Sequence, residues 1–184
     1  KLKSTATIIL ILMMMASVTL MTNIPIQPVK AQLATQQQSI AVPSGVTPNV
    51  TTATTASLSF RPNPIGLGQE LLINVWVSPS VQTQRKFLSE VTGSFKLTIT
   101  KPDGTNDVIT MPNTQSECSS WTAYVPTQVG EYKLKFEFAG TFFPEGRWLN
   151  GYIVTNSSGT YLDSAYYQPS STGVQTLTVQ QDFV

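Results

Sequence analysis

The feature that most constrains this chain is a two-residue alternation of apolar and polar side chains, repeated in short runs between glycines and prolines. Residues 131–138 carry it most clearly: Tyr132, Leu134, Phe136 and Phe138 alternate with Lys133, Lys135 and Glu137. A helix would scatter these groups around its axis, whereas a strand sends successive side chains to opposite faces. The same spacing recurs at 56–61 (Leu58, Phe60), 70–77 (Leu71, Ile73, Val75, Val77) and 93–100 (Phe95, Leu97, Ile99). It recurs again at 107–111, at 120–125 with Trp121, Ala123 and Val125 on the inward side, and at 174–179 with Leu177 and Val179 inward. Pro102-Asp103-Gly104 joins two of these runs as a hairpin, because proline presets φ and glycine supplies a positive φ. About seven short strands with no helical run among them predict an all-β domain, a two-sheet antiparallel sandwich. The intervals 78–92 and 139–160 are loops or further strands whose register the pattern does not give.

Two segments of different character precede the strands. Lys1 and Lys3 lead into an uncharged apolar run over 6–21, and Val29 and Ala31 stand just before Gln32. A basic start, an apolar centre and small residues at the cut are the layout of a signal peptide, here a leader helix over 1–31. A leader that is kept would instead anchor the chain in a membrane, although its run falls short of the ~20 residues a span needs. Residues 32–56 contain no charge and no aromatic group and are rich in Ser, Thr, Gln and Pro. Such a stretch buries too little apolar area to offset its ordering entropy. It reads as a disordered linker, with the sandwich over 57–182. Without its leader the chain keeps 8 of its 11 basic side chains and all 10 acidic ones. It then lacks the basic stripe that nucleic acid requires. The location this implies is extracellular or on the cell surface.

Gly130-Glu131-Tyr132 opens the strongest strand, where immunoglobulin-like sandwiches place a tyrosine corner. Ahead of it come Phe60 with Pro62-Asn63-Pro64 and Gly66 to Gln69, then the run at 71–77, then Leu97 through Pro102-Asp103-Gly104. In that order these segments resemble the immunoglobulin-like module near the N-terminus of large secreted archaeal proteins that continue into a PQQ-like β-propeller. The resemblance covers about residues 57–182. It implies an immunoglobulin-like fold, a structural or interaction role at the cell surface, and Tyr132 as the structural corner. Two departures from antibody-type domains stand out. The single cysteine, Cys118, leaves no inter-sheet disulfide, and Phe95 stands where a tryptophan would be expected.

Catalytic chemistry has little to work with. The chain has no histidine, so the commonest general base and metal ligand are absent. Glu131 and Glu137 share one strand at a separation of roughly 20 Å, too far for a glycosidase pair. Asp103 and Asp107 offer oxygen ligands, but their spacing is that of a hairpin turn and not of a calcium loop. No catalytic, cofactor-binding or metal-ligating residue is therefore assigned, and an enzyme ranks last among the function classes. Cys118, between polar neighbours, is expected near the surface. Asn49 and Asn156 head glycosylation sequons and mark the chain as a candidate glycoprotein.

What remains is aromatic area. Phe142, Phe143, Trp148 and Tyr152 lie close together beside Arg147, and Tyr161, Tyr166 and Tyr167 follow. These side chains either present an interaction surface or fold back against the sandwich. The function this predicts is a non-catalytic structural or interaction module that docks to a neighbouring domain or another surface protein through segment 141–152. The alternative is a carbohydrate-binding module that uses the same aromatic segment. A further alternative is a membrane-anchored filament subunit that keeps its apolar N-terminal segment.

Overall fold

The computed structural model describes residues 39–80, 85, 94–111, 118–155 and 157–184. All belong to the compact unit Gln36–Val184, and no helix occurs among them. The proposed leader and the first part of the proposed linker lie outside the described residues. In chain order the strands are β1 (Val50–Thr52), β2 (Thr55–Arg61), β3 (Ile65–Gly66) and β4 (Leu71–Ser78). Next come β5 (Phe95–Thr100), β6 (Asn106–Met111), β7 (Ser119–Tyr124) and β8 (Gly130–Phe138). Six short strands follow: β9 (Thr141–Phe143), β10 (Gly146–Leu149), β11 (Tyr152–Val154), β12 (Thr160–Leu162), β13 (Ala165–Tyr167) and β14 (Ser170–Ser171). β15 (Gln175–Gln180) comes last.

Two sheets share the main core. One has the order β2-β4-β7, and the other runs β3-β15-β8-β5-β6 with β14 also paired to β8. Their inner faces supply Leu58, Phe60, Leu71, Ile73, Val75 and Val77 from one side, and Phe95, Leu97, Ile99, Leu134, Phe136 and Leu177 from the other. Alternation creates these faces, and burial of the aromatic rings is their largest stabilising contribution. Phe95 meets Phe136 and Phe138 edge-on, with ring centroids 5.1 and 5.6 Å apart. The charged groups of β8 and β5 face outward, where Lys96 and Lys135 both reach Glu137, at 2.8 and 3.1 Å. Gly104, with φ of 85°, closes the β5–β6 hairpin beneath a Lys101 N–H bond to the Thr105 carbonyl of 2.8 Å.

Strand β7 lies the other way round from the sequence expectation. Trp121, Ala123 and Val125 face outward, while Ser120 is buried and Thr122 and Tyr124 are half-buried. The register explains the reversal. Ser120, Thr122 and Tyr124 stand opposite Val75, Ile73 and Leu71 of β4, whose side chains are committed to the core. Directly opposed residues share a face, so Trp121, opposite Asn74, goes to solvent. Tyr124 fits the inward role because its hydroxyl reaches Asp107 at 2.8 Å while its ring packs edge-on against Tyr132.

The linker boundary also moves. β2 begins at Thr55, and β1, inside the segment read as linker, pairs in parallel with β13. Farther back, Ser39 and Phe142 exchange backbone hydrogen bonds of 3.0 and 2.6 Å. Thr54 donates its hydroxyl to the Gln168 carbonyl, and the Gln168 N–H reaches Thr52. Backbone pairing uses groups that every residue carries, so it requires no apolar alternation and leaves no trace in composition. A chain that begins at Thr54 is therefore expected to be less stable than one that begins at Gln36, by about 1–3 kcal/mol, the net worth of a few such bonds. Urea unfolding of the two chains checks this, and equal midpoints would show that β1 adds nothing.

Candidate functional site

The segment expected to carry the interaction surface divides between core and surface. Phe142, at 4% exposure, Phe143 and Trp148 are all buried, which corrects their assignment to a docking surface. β9 pairs with β13 and sends Phe143 inward. The Phe143 ring packs edge-on against Trp148 at 5.6 Å and against Tyr167 at 5.8 Å. Trp148 donates its indole N–H to the Pro144 carbonyl at 3.2 Å. The guanidinium of Arg85 lies over both rings, 5.5 Å from Phe143 and 5.7 Å from Trp148, and donates to the Asp163 carbonyl. Burial pushes the pKa of Arg85 down from its ordinary value, and Tyr167 and Asp163 oppose that shift. Nothing in the sequence around Arg85 marks it as a core residue.

Arg147 and Tyr152 do face solvent. They lie on the outer side of the small sheet β11-β10-β12, together with Leu149 and Tyr161. Arg147 is held by a 3.0 Å hydrogen bond to the Gly159 carbonyl. Asn49 is exposed, and its carboxamide oxygen accepts from the Ser164 hydroxyl. Asn156 lies outside the described residues. Cys118 is fully buried at a φ of 58°, not near the surface. Tyr132 is buried at the start of β8, and its hydroxyl accepts the backbone N–H groups of Gln128 (2.9 Å) and Thr127 (3.2 Å).

The carboxylates at 103–107 are taken up by the turn itself. Asp103 accepts from the Thr105 N–H and hydroxyl and from the Gln128 amide at 2.6 Å. These bonds, the Gln128 amide foremost, pull its pKa down to about 2. Lys101, at 2.8 Å, and the Tyr124 hydroxyl hold Asp107 below its ordinary value as well. Burial and the Asp107 hydrogen bond raise Tyr124. Among the described residues no group of three or more Cys, Asp or Glu side chains is placed to hold a metal ion.

The most unusual surface holds Trp121, which the strand alternation predicts in the core. On the outer face of β2-β4-β7, Trp121 is 67% exposed, Leu72 47% and Trp76 37%. The register arranges this face in rows across the three strands. Ser59, Asn74 and Trp121 form one row, Ser57, Trp76 and Ser119 the next, and Arg61, Leu72 and Ala123 the third. Trp76 and Trp121 are diagonal neighbours at about 7–8 Å, close enough for their rings to act together. Among these nine positions Arg61 is the single charge, at a corner, with one guanidinium nitrogen bonded to its own Phe60 carbonyl. A groove of about 640 Å³ runs along the β2 edge, where Ser59 and Arg61 meet Asn63 and Gln175. Half-exposed tyrosine and leucine are ordinary on a protein surface, but tryptophan at two-thirds exposure is not. The readable signal was the outward position of Trp76 between inward Val75 and Val77, which left one tryptophan on this face whatever the facing of β7.

The described residues contain no helix long and apolar enough to cross a membrane. Set against protein-family models, curated proteins and solved structures, the chain matches none.

Two outcomes follow from this geometry. Trp148→Ala is expected to cost about 3–5 kcal/mol, as aromatic truncations in cores do, whereas Trp121→Ala stays within about 0.5 kcal/mol of the parent. Chemical denaturation of the two variants decides whether the aromatic segment or the outer sheet face belongs to the core. The second outcome concerns pH. Asp103, Asp107 and Glu137 have lowered folded-state values, so their contribution is present above ordinary carboxylate values and is lost as pH falls through the folded ones. Tyr124, raised above 10.0 in the folded chain, contributes below that value and loses the contribution as pH rises past it. Urea midpoints at pH values of about 3, 7 and 11 should therefore peak in the middle, and Asp103→Asn should flatten the acid limb.

Proposed function

We propose that this chain is a non-catalytic binding module of a secreted or cell-surface protein, built on an immunoglobulin-like sandwich. Strand order supports the fold assignment: β2-β4-β7 facing β15-β8-β5-β6 has the partition of strands A, B and E against G, F, C and C′. The position of Tyr132 at the head of β8, with its hydroxyl bonded to backbone four and five residues upstream, supports it further. On this reading β9–β14 form an insertion between the last two core strands. The basic and apolar leader supports secretion, and the order of sequence segments supports kinship with the archaeal surface modules.

The observation that carries the binding role is the exposure of Trp76 and Trp121 on one sheet face whose single charge is Arg61 at its corner. Exposed tryptophan is costly in solubility and is enriched where proteins hold other molecules. The recognition surface thus moves from segment 141–152, whose Phe142, Phe143 and Trp148 rings are buried, to the outer face of β2, β4 and β7. If so, the secreted chain should sediment with the insoluble envelope of the cells that produce it, and Trp76→Ala/Trp121→Ala should stay in the supernatant while unfolding at the same urea concentration. Equal sedimentation of parent and variant would refute the assignment of this face.

A further inference from the structure

We infer that the outer face of β2-β4-β7 is a platform for a neutral polysaccharide or oligosaccharide. The inference rests on the binding role proposed above and names its ligand class.

Three properties of the face select the ligand. The first is charge. The opposite sheet displays Lys96, Lys133, Lys135, Glu131 and Glu137 outward, whereas this face has only Arg61, at its corner. It therefore offers no field to steer a polyanion, a nucleic acid or a charged protein patch. The second is area. Two strand spacings of ~4.8 Å and four residue steps of ~3.4 Å give a patch of about 10 by 14 Å between backbones. Even with side-chain overhang that is well short of the ~800 Å² per partner of a stable protein interface. It suits a narrow ligand laid flat. The third is the mixture of groups. A sugar ring presents apolar C–H faces and a hydroxyl edge, so it needs aromatic surface and uncharged hydrogen-bonding groups side by side.

The rows across the sheet supply both. In the row Trp121–Asn74–Ser59 an indole is followed by a carboxamide and a hydroxyl, and the row ends at the edge groove. In the neighbouring row Trp76 is flanked by Ser57 and Ser119. A chain that crosses the strands would stack one ring on Trp121, pass its hydroxyls over Asn74 and Ser59, and continue into the groove beside Arg61. Trp76 would cover the flank of the same chain. The backbone of β4 is paired on both sides, by β2 and by β7, so the platform exists before the ligand arrives.

Affinity electrophoresis of the secreted chain in gels containing soluble β-glucan or galactomannan, with pull-downs on cellulose and chitin, tests the inference. Polygalacturonate serves as the anionic control. At least one neutral polysaccharide should retard or retain the protein, with retention unchanged at about 1 M NaCl, where charge attraction is screened. Trp121→Ala should weaken that binding by about tenfold or more, Asn74→Ala by less, and Tyr152→Ala on the small sheet β11-β10-β12 not at all. Urea midpoints of all three variants establish that they are folded. Retention on polygalacturonate alone, lost in salt, would overturn the inference. So would concentration-dependent self-association abolished by Trp121→Ala, which would make a second copy of the chain the occupant. Tryptophan-dependent sedimentation with envelope but no binding to any neutral polysaccharide would overturn the sugar and leave the binding module standing.

Discussion

Strand β8 is the constraint on which the rest of the structure depends. It pairs with β5 along one edge and with β14 and β15 along the other, so its backbone is satisfied on both sides. Its inner face places Tyr132, Leu134, Phe136 and Phe138 in the core, none more than 1% exposed. The side chains of Phe95 and Tyr124 take their positions from contacts with these rings. At the head of the strand the Tyr132 hydroxyl occupies the N–H groups of Thr127 and Gln128, tying the incoming turn to the strand. A loss here would expose aromatic area and leave the part-buried N–H groups of Thr127 and Gln128 without the Tyr132 hydroxyl, so β8 is coupled to the whole sandwich.

The short strands after β8 add an aromatic cluster to that core. Phe143 packs edge-on against Trp148 and Tyr167, and the three extend the one buried core of the main sheets. Arg85 lies over that cluster, its cation facing two ring faces and a backbone carbonyl. Ring quadrupoles and an oriented carbonyl offset part of the desolvation cost of a buried guanidinium. The extended segment before β2 finishes the cluster's sheet by adding β1 to β13, which leaves no open edge on that side of β13.

The two outer faces contrast in charge and in exposed aromatic area. The outer face of β5 and β8 is a charged, solvated surface, with Lys96 and Lys135 sharing Glu137. Exposed pairs of this kind contribute little to stability, but they keep the face soluble. Among the described residues the outer face of β2-β4-β7 has no such pairs, and it accepts exposed tryptophan instead. Stability does not require that arrangement, because Trp121, two-thirds exposed, removes little apolar area from water. Recognition does.

Sequence by itself determined the all-β class, the central strands and most of their facings. Residues such as Leu71, Ile73, Val75 and Val77 have one apolar side each, and the two-residue period of a strand leaves them a single way to be buried. It also determined the β5–β6 hairpin, since Gly104 supplies a conformation that other residues resist. Tertiary structure decided everything that depends on partners. In β7 both faces carry large side chains, so only the register against Leu71, Ile73 and Val75 could turn Tyr124 in and Trp121 out. β1 forms because the edge of β13 has backbone groups to satisfy, a demand that is invisible in an uncharged Ser/Thr-rich segment. Phe143, Trp148 and Arg85 become one cluster only when chain segments about sixty residues apart meet. Local periodicity encodes which side of a strand is apolar, whereas the side that meets the core is fixed by what lies across from it.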